Sequence, residues 1–132
     1  MHLKYLELTM VNMSLTTLHP QEVEVFYILP AIRRELSVAL KELGKSQKDI
    51  AKLLGVTEAA VSQYISKKRA ADVDFPRELA AEIRKAAPKM TDKSSMIKET
   101  QRILASAKDH KLTCRLHEQV ADVPKGCDIC FH

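Results

Sequence analysis

Two short-spaced pairs of potential metal ligands stand near the end of the 132-residue chain. Cys114 and His117 form a C-x2-H pair, and Cys127 and Cys130 form a C-x2-C pair after nine intervening residues. Each pair can place two side chains on one metal ion from a single tight turn, so the four residues suffice for tetrahedral zinc. Thiolates with one imidazole also suit an iron–sulfur cluster, because histidine can replace cysteine on an iron. The sequence therefore predicts one metal centre, and the spacing favours zinc.

Two other interpretations of the cysteines remain open. A disulfide between Cys127 and Cys130 would be a redox switch, and three thiols in a reducing cytosol could simply be small buried hydrophobes. All three cysteines lie in the final nineteen residues, where there is little core to bury them. The fourth ligand of a metal is open between His117, His132, His19 and an unfilled position on iron.

The middle of the chain predicts two helices joined by a tight turn. Ser46 is a good N-cap for a helix over Gln47–Leu54, and Gly55 supplies the left-handed exit that only glycine makes cheaply. Thr57 then caps a second helix that runs from Glu58 to about Lys68. A small residue in mid-helix, a glycine and an apolar residue in this register are the constraints of a helix-turn-helix unit.

The same segment carries the whole formal charge of the protein. Six basic and two acidic residues lie between Lys45 and Arg69, and the rest of the chain is balanced at fifteen of each. The net charge of the segment therefore equals the net charge of the chain, +4. A basic patch on a helix-turn-helix unit of an otherwise neutral protein is the electrostatic footprint of phosphate binding. The sequence predicts that double-stranded DNA is the partner.

The helix-turn-helix segment has the pattern Gln47-x3-Ala51-x3-Gly55-Val56-x4-Val61-Ser62-Gln63-Tyr64-x4-Arg69. In this pattern it resembles the phage-repressor and Cro class of proteins. With Tyr27–Arg34 and Cys127–Cys130, the chain from about Pro20 onward also resembles small, mostly archaeal predicted transcriptional regulators. This second resemblance implies an iron–sulfur cluster, and we favour the cluster over zinc on that ground, although Gln21 stands about where such relatives often carry a further cysteine.

The repressor resemblance implies which side chains contact DNA. Gln47, at the start of the first helix, would touch a phosphate. The first turns of the second helix would supply the base-edge contacts, through Thr57, Glu58, Ala59, Ser62 and Gln63. Ser62 and Thr57 could equally contact phosphate or only cap and solvate their helix. Three basic residues at the end of that helix are suited to contact the DNA backbone beside the bases that are read, and they also interact favourably with the helix dipole: Lys67, Lys68 and Arg69.

Three of these side chains have competing interpretations. Gln63 is the residue best placed to read adenine bidentately, but an exposed glutamine on a helix is also common. Glu58 departs from the class, where an uncharged polar residue is commoner. Its carboxylate could accept from a cytosine amino group or be a solvated acid at a helix N-terminus. Tyr64 is expected to pack against the core rim rather than to stack on a base.

Composition places the chain among all-α globular proteins with about one domain's length. It has 45% apolar and 29% charged residues, three glycines and no tryptophan. The helical periodicity predicts further helices over Ala31–Leu43, Pro76–Ala87 and Asp92–His110, with a loop over Lys67–Asp74. The apolar stretch Glu22–Leu29 is open between a helix and a short extended piece.

We divide the chain into three parts on this basis. Residues 1–19 are an N-terminal extension, for which disorder is one alternative. Residues 20–88 form a repressor-type helix-turn-helix domain of four to five helices. Residues 89–132 supply a C-terminal helix and the Cys/His tail.

The resulting hypothesis is a sequence-specific transcription regulator that dimerises through the helix 92–110 and senses metal or redox state with its tail. The alternative is a protein-interaction module, such as an antitoxin or a bridging coactivator, with a structural zinc or free thiols.

An enzyme is not expected, because the sequence has no Gly-rich phosphate loop, Ser/His/Asp set or carboxylate pair, and no small-molecule substrate is indicated. No apolar run approaches the ~20 residues of a membrane span, and Lys4 and Glu7 interrupt any secretory signal, so a cytoplasmic protein is expected.

Overall fold

A computed structural model describes residues 19–67, 69–70, 73–120 and 126 of the chain. The described elements are all helical, as the composition predicts. In chain order they are α1 (Pro20–Val23), a π-helical turn (Glu24–Ile28), α2 (Leu29–Glu42), α3 (Gln47–Leu54), α4 (Glu58–Ile65), α5 (Arg77–Ala86), a 3-10 turn (Ala87–Lys89), α6 (Lys93–Asp109) and α7 (Leu112–Val120). Within those residues, no helix combines the length and the apolar character needed to cross a membrane.

The first three elements form one continuous helical rod around a proline. Pro30 has no N–H, and its ring crowds the carbonyl four residues earlier, so an undisturbed α-helix could not pass through it. The π-helical turn, which ends two residues before the proline, widens the backbone, and the Leu29 N–H donates to the carbonyl of Glu24, five residues back. The structure therefore resolves the open choice for residues 22–29 in favour of helix.

The first helix of the middle segment has the predicted start and end, and the second helix has the predicted start. Ser46 Oγ accepts from the Asp49 N–H at 3.1 Å, and Thr57 Oγ1 accepts from the Ala60 N–H at 3.0 Å. Gly55 lies between them in the left-handed conformation, with φ 71° and ψ 35°. The helix starts and the turn predicted from the sequence are confirmed.

The end of the second helix is the exception. The sequence predicts helix to about Lys68, whereas α4 ends at Ile65 and Ser66 is its C-cap. Lys67 enters the left-handed region at φ 63° and donates its N–H to the Tyr64 carbonyl at 3.1 Å. The chain therefore turns away three residues earlier than predicted, and Lys68 itself is outside the described residues.

A single apolar core places α2 at the centre of the fold. α2 packs against α3, α4 and α5, and its fully buried Ile32, Leu36 and Leu40 form the middle of the core. α6 and α7 add buried residues to the same cluster, among them Ile103 and Leu116. α7 also packs against α1, so the two ends of the described helical array meet.

The capping of α6 agrees with the predicted helix 92–110. Asp92 Oδ1 accepts from the Ser95 N–H at 2.8 Å, and Ser95 Oγ accepts from the Asp92 N–H at 3.0 Å. The hydrogen bond from the Ser95 backbone is the main cause that lowers the pKa of Asp92, followed by the bond to the Ser95 side chain. This reciprocal pair fixes the start of α6. α7, in contrast, was not predicted, although Leu112, Leu116 and Val120 have helical spacing.

We expect Gly55→Ala to lower the free energy of unfolding by about 1–2 kcal/mol, because a Cβ disfavours the left-handed conformation. No heavy atom lies within 4 Å of the position a Cβ would take, so backbone strain rather than crowding sets this value. Gly55→Asn is the matched control, since asparagine tolerates this conformation better. Urea unfolding of both variants checks the prediction, and equal losses for alanine and asparagine would contradict it.

Candidate nucleic-acid interface

α4 has one buried face and one exposed face. Ala60, Val61 and Tyr64 are at most 5% exposed and pack on α2 and α3. The exposed residues of the opposite face are Glu58, Ala59, Ser62, Gln63 and, just past the helix end, Ser66. Four of the five side chains predicted to contact base edges therefore lie together on one open surface of α4, which is the geometry required for insertion into the major groove.

The fifth predicted contact, Thr57, is also exposed but is already engaged. Its hydroxyl accepts the Ala60 N–H as the N-cap of α4. The capping interpretation of Thr57 is therefore the one that the structure shows. Gln47 is half-buried in the first turn of α3, next to the cap Ser46. Its position at a helix N-terminus suits the predicted phosphate contact, because backbone N–H groups and the helix dipole favour an anion there.

Tyr64 connects α4 to the basic residues that follow it. The side chain is only 3% exposed, so the prediction that Tyr64 packs in the core rather than on a base is confirmed. The guanidinium of Arg69 lies over the ring at 5.7 Å from the ring centroid, a cation–π contact. Arg69 is thereby held beside the end of α4, half-buried, instead of extending freely into solvent.

The exposed lysines bracket the open face of α4 along the chain. Lys45, Lys48 and Lys52 lie before the turn, and Lys67 lies directly after α4; all four are exposed. The predicted contact Lys68 is outside the described residues. Exposed basic residues before and after the helix in the chain are available for contacts to DNA phosphates.

Arg34 is a residue of this region that the sequence did not single out for a role. It lies on α2, yet its Nη2 donates to the Val73 carbonyl at 3.3 Å, thirty-nine residues away in sequence. The same atom is 3.0 Å from the Glu35 carboxylate, and the side chain is 12% exposed. Arg34 therefore ties the connection between α4 and α5 to the central helix. A contact between residues so far apart leaves no local sequence signal, so only the fold reveals it.

We expect Arg34→Met to loosen this connection while the helices stay folded. The variant removes a hydrogen bond from a charged donor, which contributes about 1.5–3 kcal/mol in typical cases. Hydrogen exchange should become faster at the Ala70 and Val73 amides. The free energy of unfolding should fall by about 1.5–3 kcal/mol, the contribution of the lost hydrogen bond. Arg34→Lys is the control, since it keeps the charge but loses the forked donor geometry. Unchanged exchange at Ala70 and Val73 in Arg34→Met would contradict the prediction.

The structure describes only part of the predicted metal centre. Cys114 and His117 are both half-buried and lie three residues apart on α7, so they occupy the same side of that helix rather than a tight turn. Side chains at this spacing can reach one ion. Cys127, Cys130 and His132 lie outside the described residues. Within the described ranges, no three His, Cys, Asp or Glu side chains are grouped as a metal site.

Comparison with known proteins agrees with this geometry. Residues 36–85 match a helix-turn-helix family, and the match runs from the second half of α2 through the end of α4 and into α5. Neither a curated protein nor a solved structure matches the chain. The capped helix pair, its glycine turn and this match together identify residues 36–85 as a repressor-type helix-turn-helix domain, the type of domain that DNA-binding transcription regulators use.

Proposed function

We propose that this protein is a sequence-specific transcription regulator that binds operator DNA as a homodimer and carries a metal or iron–sulfur centre in its C-terminal tail. The observation that carries the DNA-binding part is the open face of α4 between flanking lysines, on a segment that holds the entire net charge. Exposed polar side chains on α4 would read base edges, and the basic residues before and after α4 would contact phosphates.

A single recognition helix reads only a few base pairs, so useful affinity favours two half-sites and two copies of the chain. α6 is our proposed dimer element. It presents Ile97, which is 46% exposed, beside an apolar groove formed with α2 and the end of α3 and lined by Leu29, Leu36 and Leu54. No lining residue of this groove belongs to α4, so a dimer contact there would leave the recognition face available.

Sedimentation equilibrium with wild-type protein and Ile97→Glu tests the dimer. A charge at Ile97 would be buried unpaired in the contact, so the variant should sediment as a monomer and lose operator affinity. Val25→Glu is the control, because Val25 is 56% exposed and does not line the groove. If wild-type protein is monomeric at all concentrations, or if Ile97→Glu still dimerises, the dimer element is wrong.

The metal part of the proposal depends on the tail. Cys114 and His117 on α7, together with Cys127 and Cys130, would hold the centre, and a bound cluster would supply sensitivity to iron and oxidants. α7 packs against both α1 and α6. A centre that changes the position of α7 would therefore act directly on the proposed dimer element.

An anaerobic absorption spectrum with iron, sulfide and zinc analysis tests this centre. Visible absorption with iron and sulfide, lost in a Cys127→Ser and Cys130→Ser double variant, would support a cluster sensor. Stoichiometric zinc without colour would make the tail a structural clip. Protein without any metal would leave a simple DNA-binding regulator.

The DNA-binding part is tested by selection from a random duplex library, followed by measurement of affinity against salt concentration. Gln63→Ala should relax the base preference, whereas Arg69→Ala should weaken binding to all sequences and lower the salt dependence. Equal loss on every sequence for Gln63→Ala would refute its reading role. Absence of duplex binding at low salt would favour a protein-interaction module instead.

A further inference from the structure

The exposed face of α4 carries no positive charge. Two adjacent rows of side chains cover it at i, i+4 spacing, Glu58–Ser62–Ser66 and Ala59–Gln63. All five residues are exposed, and the only ionised group among them is the Glu58 carboxylate. The basic residues lie before α4 at Lys45, Lys48 and Lys52, or after it from Lys67 onward. Charge for phosphate binding and side chains for base reading are thus on separate parts of the surface.

This separation limits which bases α4 can read. The commonest specific contact to DNA is a bidentate bond from arginine or lysine to guanine O6 and N7, and α4 has neither residue. Gln63 has the amide that pairs with adenine N6 and N7, and the Ala59 methyl suits the thymine methyl group. Both lie in the same row, one turn apart, so they are neighbours on the helix surface.

Glu58 provides the only charged contact available on this face. It lies at the first position of α4, where the helix dipole stabilises a carboxylate. A carboxylate in the major groove accepts from the cytosine N4 amino group, and the phosphates repel it on every sequence. A cytosine opposite Glu58 offsets this repulsion, so binding is weaker where the base at that position offers no amino group to the carboxylate.

We propose that Glu58 is a specificity-determining residue, and that α4 selects a half-site with a cytosine opposite Glu58 next to an A·T-rich step read by Gln63 and Ala59. This inference rests on the proposed DNA-binding function. Guanine bases of the half-site are then not read by a basic side chain of α4.

Selection from a random duplex library with full-length protein, compared between wild type, Glu58→Ala and Glu58→Gln, tests the proposal. Wild type should enrich cytosine at one position by at least about fivefold, the lower end of discrimination by one good base contact. Glu58→Ala should lose that preference yet bind non-specific duplex several-fold more tightly. Glu58→Gln should shift the preferred base at that position from cytosine to adenine.

Asp49→Ala is the control for charge alone. Asp49 is an exposed acid on α3 in the same basic segment but outside the two rows of α4. The Asp49→Ala variant should raise the affinity for non-specific duplex without changing the selected sequence. If Glu58→Ala selects the same consensus as wild type, or changes it no more than Asp49→Ala does, the inference is wrong while DNA binding stands. If wild type binds no duplex at low salt, the proposed function itself fails.

Discussion

Replacing Lys67 and Arg69 with alanine will weaken binding to every duplex sequence by about 60-fold near 0.1 M salt. Each neutralised phosphate contributes about 0.9 to the slope of log affinity against log salt concentration for duplex DNA, so losing two contacts lowers the slope by about 1.8. Between 1 M and 0.1 M salt, a slope lower by about 1.8 corresponds to an affinity about 60-fold weaker. The position of both residues supports the assignment. Lys67 is exposed directly after α4, and Arg69 is held over the Tyr64 ring beside the helix end.

The measurement is fluorescence anisotropy with labelled duplex at several salt concentrations. Lys85→Ala with Lys108→Ala removes the same total charge from exposed positions on α5 and α6 and is the matched control. It should change the slope by much less. Thermal unfolding of each variant separates affinity from stability, because Arg69→Ala also removes a cation–π contact that contributes about 0.5–1 kcal/mol. Equal slopes of log affinity against log salt concentration for the two double variants would show that Lys67 and Arg69 do not contact the DNA backbone.

Leu40→Ala will lower the free energy of unfolding by about 2–5 kcal/mol, the cost of truncating a buried leucine and leaving a cavity. Leu40 is fully buried in α2, the helix on which α3, α4 and α5 all pack. The loss is a large fraction of the roughly 5–15 kcal/mol typical of a small domain. DNA affinity should fall as the folded fraction falls, because α4 packs on α2 and α3 through this core.

Leu43→Ala supplies the matched control for that prediction. It truncates the same residue type at the end of the same helix, but Leu43 is 54% exposed. Its effect should stay within about 0.5 kcal/mol, as for most surface substitutions. Chemical denaturation monitored by circular dichroism gives both values. Comparable losses for Leu40→Ala and Leu43→Ala would contradict the described burial.

Local sequence signals account for the helix-turn-helix unit almost completely. The caps at Ser46 and Thr57 act over three residues, and the left-handed turn at Gly55 depends on the residue itself. Because these interactions involve neighbours in the chain, their geometry follows from residue type and spacing. The same reasoning predicted the buried Tyr64 and the exposed face of α4.

The end of α4 shows where such local reasoning stops. Three basic residues in succession are compatible with helix, so the sequence predicted α4 to reach Lys68. In the structure α4 ends at Ile65, Lys67 takes the left-handed conformation, and Arg34 of α2 donates to the carbonyl of Val73 further along the chain. Helix propensity is a weak preference that such tertiary contacts override.

The sequence by itself determined the all-α fold class, the helix-turn-helix unit, the position of its charge and the residues exposed on α4. These features depend on residue type, periodicity and contacts within one helical turn. Only the tertiary structure decided that the chain passes through Pro30 as helix, that Arg34 anchors the segment after α4, and that α7 packs on α1 and α6. Each of these depends on the balance between local preference and contacts distant in sequence, and that balance is settled by burial in a shared core.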